Sequence, residues 1–167
     1  MQDSDAAYTL PGGGNKSVWN EETSHSARII ASLEQIQVGQ PDSSLRILVV
    51  EDDDSLADLE AGILAAHGYM VTIARNGELA ITALRQALPD LVLLDLDLSG
   101  AITGWDVLQA LRIYSRAPVL LTSAESTVRK QIRVRGETRS TLDHLPKPYP
   151  MQVLLKRIER MLTTEPS

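Results

Sequence analysis

The sequence predicts an α/β fold in three layers, a parallel sheet packed between helices, and two observations predict it. Between residues 45 and 163 five short apolar runs recur, and each is followed by an amphipathic stretch with its own stop signal. Parallel strands need long crossover connections, normally helices, so this alternation is what a parallel sheet requires. The runs also lack the in-and-out periodicity of a half-solvated strand, which suits strands buried on both faces.

The runs at 46–50, 69–73, 91–94, 119–122 and 142–145 are read as the five strands. The helices are read over 55–66, 78–88, 105–114, 127–135 and 150–162. Gly68 closes the first helix, Pro89 follows the second, Pro118 lies shortly beyond the third, Gly136 ends the fourth, and Pro150 suits the N1 position of the fifth. Ahead of this (βα)5 unit, residues 1–44 form a polar extension. Pro11 and Gly12 to Gly14 mark its first part as flexible, and an apolar stripe predicts a short helix over 24–38. Residues 164–167 are a tail.

Length and composition narrow the function. The chain has 167 residues, 43% hydrophobic and 23% charged, which fits one globular domain with tails. A formal net charge of -6 argues against tight nucleic-acid binding, so no direct DNA contact is expected. Cysteine is absent, which fits a reducing compartment. No apolar run approaches the ~20 residues of a spanning helix, and the N-terminus lacks the features of a secretory signal, so a cytoplasmic protein without membrane contact is expected.

Open parallel sheets bind ligands beyond the carboxyl ends of their strands. Strand one ends in Glu51, Asp52, Asp53 and Asp54, strand three in Asp95 with Asp97 behind it, strand four near Ser123, and strand five runs into Lys147. Carboxylates gathered at one rim repel each other unless a cation neutralises them. Mg²⁺ fits best, because it needs only one or two carboxylates together with waters and phosphate oxygens, whereas Ca²⁺ would want more protein oxygens. With Asp95 as nucleophile, Lys147 as a point charge and Ser123 as a donor, the set matches the needs of phosphoryl transfer.

These residues resemble the receiver domain of two-component response regulators, the CheY-like superfamily, in its single-domain type. The resemblance spans about residues 45–162 and rests on ILVVEDD at 47–53, PDLVLLD at 89–95, PVLLTSAES at 118–126 and LPKP at 145–148. It implies a flavodoxin-like fold with strand order 2-1-3-4-5. It implies Mg²⁺ held by Glu51, Asp52, Asp95 and the backbone carbonyl of Asp97, with Asp95 as phosphoacceptor. Ser123, rather than Thr122, and Lys147 then bind the phosphoryl group, and a cis Lys147–Pro148 peptide would aim Lys147 into the site.

The resemblance also makes Asp97 and Glu125 the residues that tune dephosphorylation, by orienting or by excluding the attacking water. The phosphoryl group would come from a histidine kinase or phosphotransfer protein. Apart from self-phosphorylation and autodephosphorylation no enzyme activity is implied, and output would pass through the face formed by the fourth helix, fifth strand and fifth helix to a downstream protein. Three departures stand out. His144 occupies the position of a rotating Tyr or Phe, Ser99 stands where proline is usual, and Gly104 comes one residue later after Asp95 than is common.

Each reading has a plainer rival. The run 51–54 also suits the positive end of a helix, and Asp53 or Asp54 is expected to cap it. Arg129, Lys130, Arg133, Arg135 and Arg139 read as a solvated helix face, Trp105 as packing for the third helix, and Tyr149 as cover for the loop after Pro148. Two other functions compete. The DLDLS run at 95–99 resembles the Asp-x-Asp-x-Thr/Val motif of haloacid-dehalogenase-type phosphatases, although the acidic pair then comes too early in the chain. A pseudo-receiver that binds partners without phosphorylation is the other.

Overall fold

The computed structural model describes residues 44–163 except Ser126; the extension through residue 43, with the helix predicted over 24–38, and the tail 164–167 lie outside the described residues. The strands are β1 (Arg46–Val50), β2 (Met70–Ala74), β3 (Leu91–Asp95), β4 (Val119–Ser123) and β5 (Leu142–Pro146). The helices are α1 (Asp54–Ala66), α2 (Gly77–Gln86), α3 (Gly104–Tyr114), α4 (Val128–Val134) and α5 (Met151–Thr163). All strand pairs are parallel, in the order β2-β1-β3-β4-β5.

Every element predicted between residues 45 and 163 is present, and the boundaries shift for identifiable reasons. β3, β4 and β5 each run one residue past their predicted ends, because Asp95 pairs with Thr122 and Ser123 with Pro146. β2 lies one residue later than expected, set by the register of Arg46 with Met70 through Val50 with Ala74. α2 stops at Gln86 rather than 88, since Ala87 is already extended ahead of Pro89. Pro150 lies just outside α5 instead of at N1, its carbonyl accepting from Leu154 N at 3.2 Å.

Successive side chains of a strand face opposite sides of the sheet, and the core divides accordingly. Leu48, Val50, Val92, Leu94, Val119 and Leu121 pack under α2, α3 and α4, joined by Leu84, Leu108 and Val128. Ile47, Val49, Leu91, Leu93 and Leu120 pack under α1 and α5, against Leu64, Leu154 and Ile158. Trp105 packs beside the first cluster as expected, and its ring also carries the Arg135 guanidinium 4.3 Å from the centroid, so one arginine of the basic stretch is stacked rather than merely solvated.

Helix starts aim the loops at one rim. Asp53 caps α1, accepting from Leu56 N at 2.9 Å, which settles the choice between Asp53 and Asp54. Gly68, with φ +89, takes the left-handed turn after α1 that leads into β2. At the other side of the rim α3 begins directly on the backbone of β3: a Cβ at Gly104 would lie 2.5 Å from the Asp95 carbonyl oxygen. Only glycine lets the two backbones meet there.

Candidate functional site

The carboxyl ends of β1, β3, β4 and β5 bring Glu51, Asp52, Asp95, Ser123 and Lys147 to the same rim. One oxygen from each of Glu51, Asp52 and Asp95 can be chosen so that all lie within 4.8 Å of one another. Lys147 Nζ reaches Glu51 Oε2 at 2.9 Å and Asp95 Oδ2 at 3.0 Å. Three carboxylates thus face one ammonium, and the excess negative charge is what a cation would neutralise. The residues present therefore fit a divalent ion held by oxygen.

Burial explains how these groups are tuned. Glu51 and Asp95 are each 2% exposed. Burial raises the Glu51 pKa, and hydrogen bonds from Lys147 and the Asp53 N–H only partly oppose it. Asp52 moves the other way, because the Ser99 hydroxyl and N–H both donate to its Oδ2, at 2.6 and 2.9 Å. Burial disfavours the Lys147 ammonium, but its bonds to Glu51 and Asp95 outweigh this and its pKa rises.

The second oxygen of Asp95 is also held, Oδ1 accepting from the Asp97 N–H at 2.9 Å. Asp97 turns its own carboxylate to Ala124 N at 3.0 Å, tying the loop after β3 to the loop after β4. Ser123 is fully buried, and its Oγ accepts from Glu125 N at 2.8 Å, which leaves its own proton available. Its carbonyl accepts from Lys147 N at 2.9 Å, and the Lys147–Pro148 peptide is cis. Thr122, the neighbour in question, is a strand residue paired with Asp95. Glu125 is exposed and accepts from the Thr127 hydroxyl.

His144 stands apart from this cluster. It lies in β5 opposite Leu121, 3% exposed, with neither ring nitrogen in a hydrogen bond among the described residues. Burial, and then the positive charge of Arg129, lower its pKa.

Two contributions escaped sequence reasoning. Ser99 had registered only as a missing proline, yet it clamps Asp52 from 47 positions away. Glu60 is 1% exposed on α1 and accepts a hydrogen bond from the Tyr149 hydroxyl, so Tyr149 is an inward tether rather than a loop cover. The available signal was spacing, since Glu60 shares the buried stripe of Ala57 and Leu64.

Residues 47–159 match the model of the response regulator receiver domain. The chain belongs to that family. It is 40% identical over 118 residues to the DNA-binding response regulator MtrA of Mycolicibacterium smegmatis, covering 70% of this chain and 50% of the relative. It is 37% identical over 116 residues to the sensory transduction protein RegX3 of Mycobacterium bovis, with the same coverages. The chain spans about half the length of the curated relatives it matches.

Among solved structures, the N-terminal domain of a response regulator/sensory box/GGDEF 3-domain protein from Carboxydothermus hydrogenoformans aligns with a TM-score of 0.61 and 31% identity, covering 70% of this chain and 93% of that one. The chemotaxis protein CheY4 of Vibrio cholerae, at 24% identity and TM-score 0.63, covers 71% and 99% and shares the fold. The receiver is a signalling module, and membership in this family displaces the phosphatase reading of residues 95–99. Among the described residues no helix is long and apolar enough to cross a membrane.

Proposed function

We propose that this receiver accepts a phosphoryl group on Asp95 from a histidine kinase or phosphotransfer protein, in a Mg²⁺ site made by Glu51, Asp52, Asp95 and the Asp97 carbonyl. The observation that carries the reading is the buried Asp95 carboxylate, 3.0 Å from Lys147 and grouped with two further carboxylates. In the transfer, an Asp95 oxygen bonds to phosphorus as the bond from phosphorus to the donor imidazole nitrogen breaks; the nitrogen keeps the electron pair. Mg²⁺, when bound, neutralises charge on the phosphoryl oxygens.

Lys147 then exchanges its bond to the Asp95 carboxylate for one to the new dianion, and Ser123 turns its free proton toward a phosphoryl oxygen. The Ser123 carbonyl is bonded to Lys147 N, so the two responses are mechanically linked. Asp97 and Glu125 set the access of water to the phosphoryl group. The α4-β5-α5 face, with His144 on it, passes the change to a downstream protein by shifting an existing equilibrium. The relatives named as DNA-binding extend to about twice the matched length, so that property is not carried to this receiver.

Incubation with Mg²⁺ and acetyl phosphate, followed by intact-mass measurement, tests the reading. An added phosphoryl mass that is absent without Mg²⁺ and in Asp95→Asn supports it; an unmodified protein would make the domain a pseudo-receiver. Ser99 supplies a finer expectation. Ser99→Ala removes one of the bonds holding Asp52 in its present place, and should tighten Mg²⁺ binding by about fivefold in a calorimetric titration, in line with a net hydrogen bond of ~1 kcal/mol. An unchanged affinity would show that the Ser99 hydroxyl does not compete with the ion.

A further inference from the structure

A cavity of about 230 Å³ opens between α4, β5 and α5; His144 lines it, and none of the residues of the acidic rim does. Its wall carries Arg129 and Arg133 from α4, Arg139 from the following loop, and Arg157 from α5. The two acids of the same wall, Glu137 and Asp143, are already committed. Asp143 takes both Arg157 and Arg160 at 2.5 Å, and Glu137 takes Arg112 at 2.8 Å. Arg129, Arg133 and Arg139 have no ion pair among the described residues. In a chain of net charge -6 they form a local excess of positive charge around a concavity, which concentrates the field there.

His144 supplies an independent observation. A buried polar group normally finds a partner, and leaving one unmet costs on the order of 1–3 kcal/mol. Both ring nitrogens here lack one. The Ser123 carbonyl acts on the ring as an acceptor and favours its charged form, but without the geometry of a full hydrogen bond, and it already accepts from Lys147 N. A neutral imidazole offers one donor and one acceptor, the complement of a hydroxyl group.

We propose that this cavity binds a small phosphate monoester with a hydroxylated carbon skeleton. Guanidinium groups pair with phosphate oxygens in a bidentate fashion, and three of them stand at the rim. The space exceeds a bare phosphate but falls below the ~300–1,000 Å³ of drug-sized sites, which fits a short carbon chain against Ile132 and Leu142. His144 turns from its sealed position to meet the ligand hydroxyl, and the occupant braces α4 against β5. The inference does not depend on phosphorylation of Asp95.

The test uses the full chain, ¹⁵N-labelled and carrying Asp95→Asn, titrated at fixed ionic strength with glycerol 2-phosphate, inorganic phosphate, sulfate, glycerol and a glutamate-rich peptide. Saturable shifts of the His144 ring nitrogens and of the α4 and β5 amides are expected, with the ester binding more tightly than inorganic phosphate. The joint substitution Arg129→Ala and Arg133→Ala should weaken the ester about tenfold, the loss expected of charge-assisted hydrogen bonds. His144→Phe should abolish the preference for ester over inorganic phosphate. Shifts that never saturate, that sulfate reproduces, or that survive the arginine substitutions would overturn the proposal. Response to the peptide alone would also overturn it, making the cavity a docking point for an acidic partner.

Discussion

Lys147→Met is expected to lower the stability of the folded protein by about 3–5 kcal/mol near neutral pH, the cost of removing one partner from a buried ion pair. The methionine keeps most of the stem and deletes the charge. Glu51 and Asp95, with side chains only 2% and 3% exposed, then face each other without the ammonium that now lies 2.9 and 3.0 Å from them. Their attraction to Lys147 is replaced by mutual repulsion in a site that water screens poorly. The measurement is urea unfolding with and without Mg²⁺. The variant should gain more stability from Mg²⁺ than the natural sequence does, because the ion takes over the neutralisation that Lys147 supplied. A variant within about 0.5 kcal/mol of the natural protein would mean that the carboxylates do not depend on this lysine.

That expectation rests on residues which the sequence already displayed. Glu51, Asp52, Asp95 and Lys147 are each the polar residue, or nearly so, that interrupts an apolar run, and the parallel-sheet pattern sends all such interruptions to one rim. The strands were legible for the same reason, since continuous apolar runs belong to doubly buried strands. What pattern reading missed is where strand pairing continues beyond the predicted ends: Asp95, Ser123 and Pro146 stay in register although they break the aliphatic run. Choosing Ser123 over Thr122 drew on the family resemblance, because both are buried hydroxyl residues at the end of one strand.

The clamp of Ser99 on Asp52 and the pairing of Tyr149 with Glu60 were illegible for a different reason. Each joins residues 47 or 89 positions apart through loops whose paths no local periodicity specifies. Glu60 is the harder of the two to see, since a glutamate in an amphipathic helix ordinarily marks the solvent side. Its position on the buried stripe of α1 places a carboxylate within the fields of Glu51, Asp95 and Lys147.

Glu60 should therefore make the domain less stable as the solution becomes more alkaline, and Glu60→Gln should remove that dependence. Burial is the largest cause of its shift, raising its pKa from 4.5 to about 7; Tyr149 opposes the rise with its hydroxyl, Lys147 with its charge, and the carboxylates of Glu51 and Asp95 add to it. Below pH 4.5 the folded and unfolded chains both hold this proton, and the side chain carries no penalty. Between there and about 7 the unfolded chain releases the proton while the folded chain keeps it, so stability falls with rising pH. By pH 8 the loss amounts to about 3 kcal/mol. Glutamine has the same shape, accepts from Tyr149 with its amide oxygen and never ionises. Denaturant unfolding of the two proteins at intervals from pH 4.5 to 8 should give curves that meet at the acid end and diverge steadily, with the variant more stable at pH 8. Parallel curves would show that water reaches Glu60 and keeps its carboxylate ordinary, despite its 1% exposure.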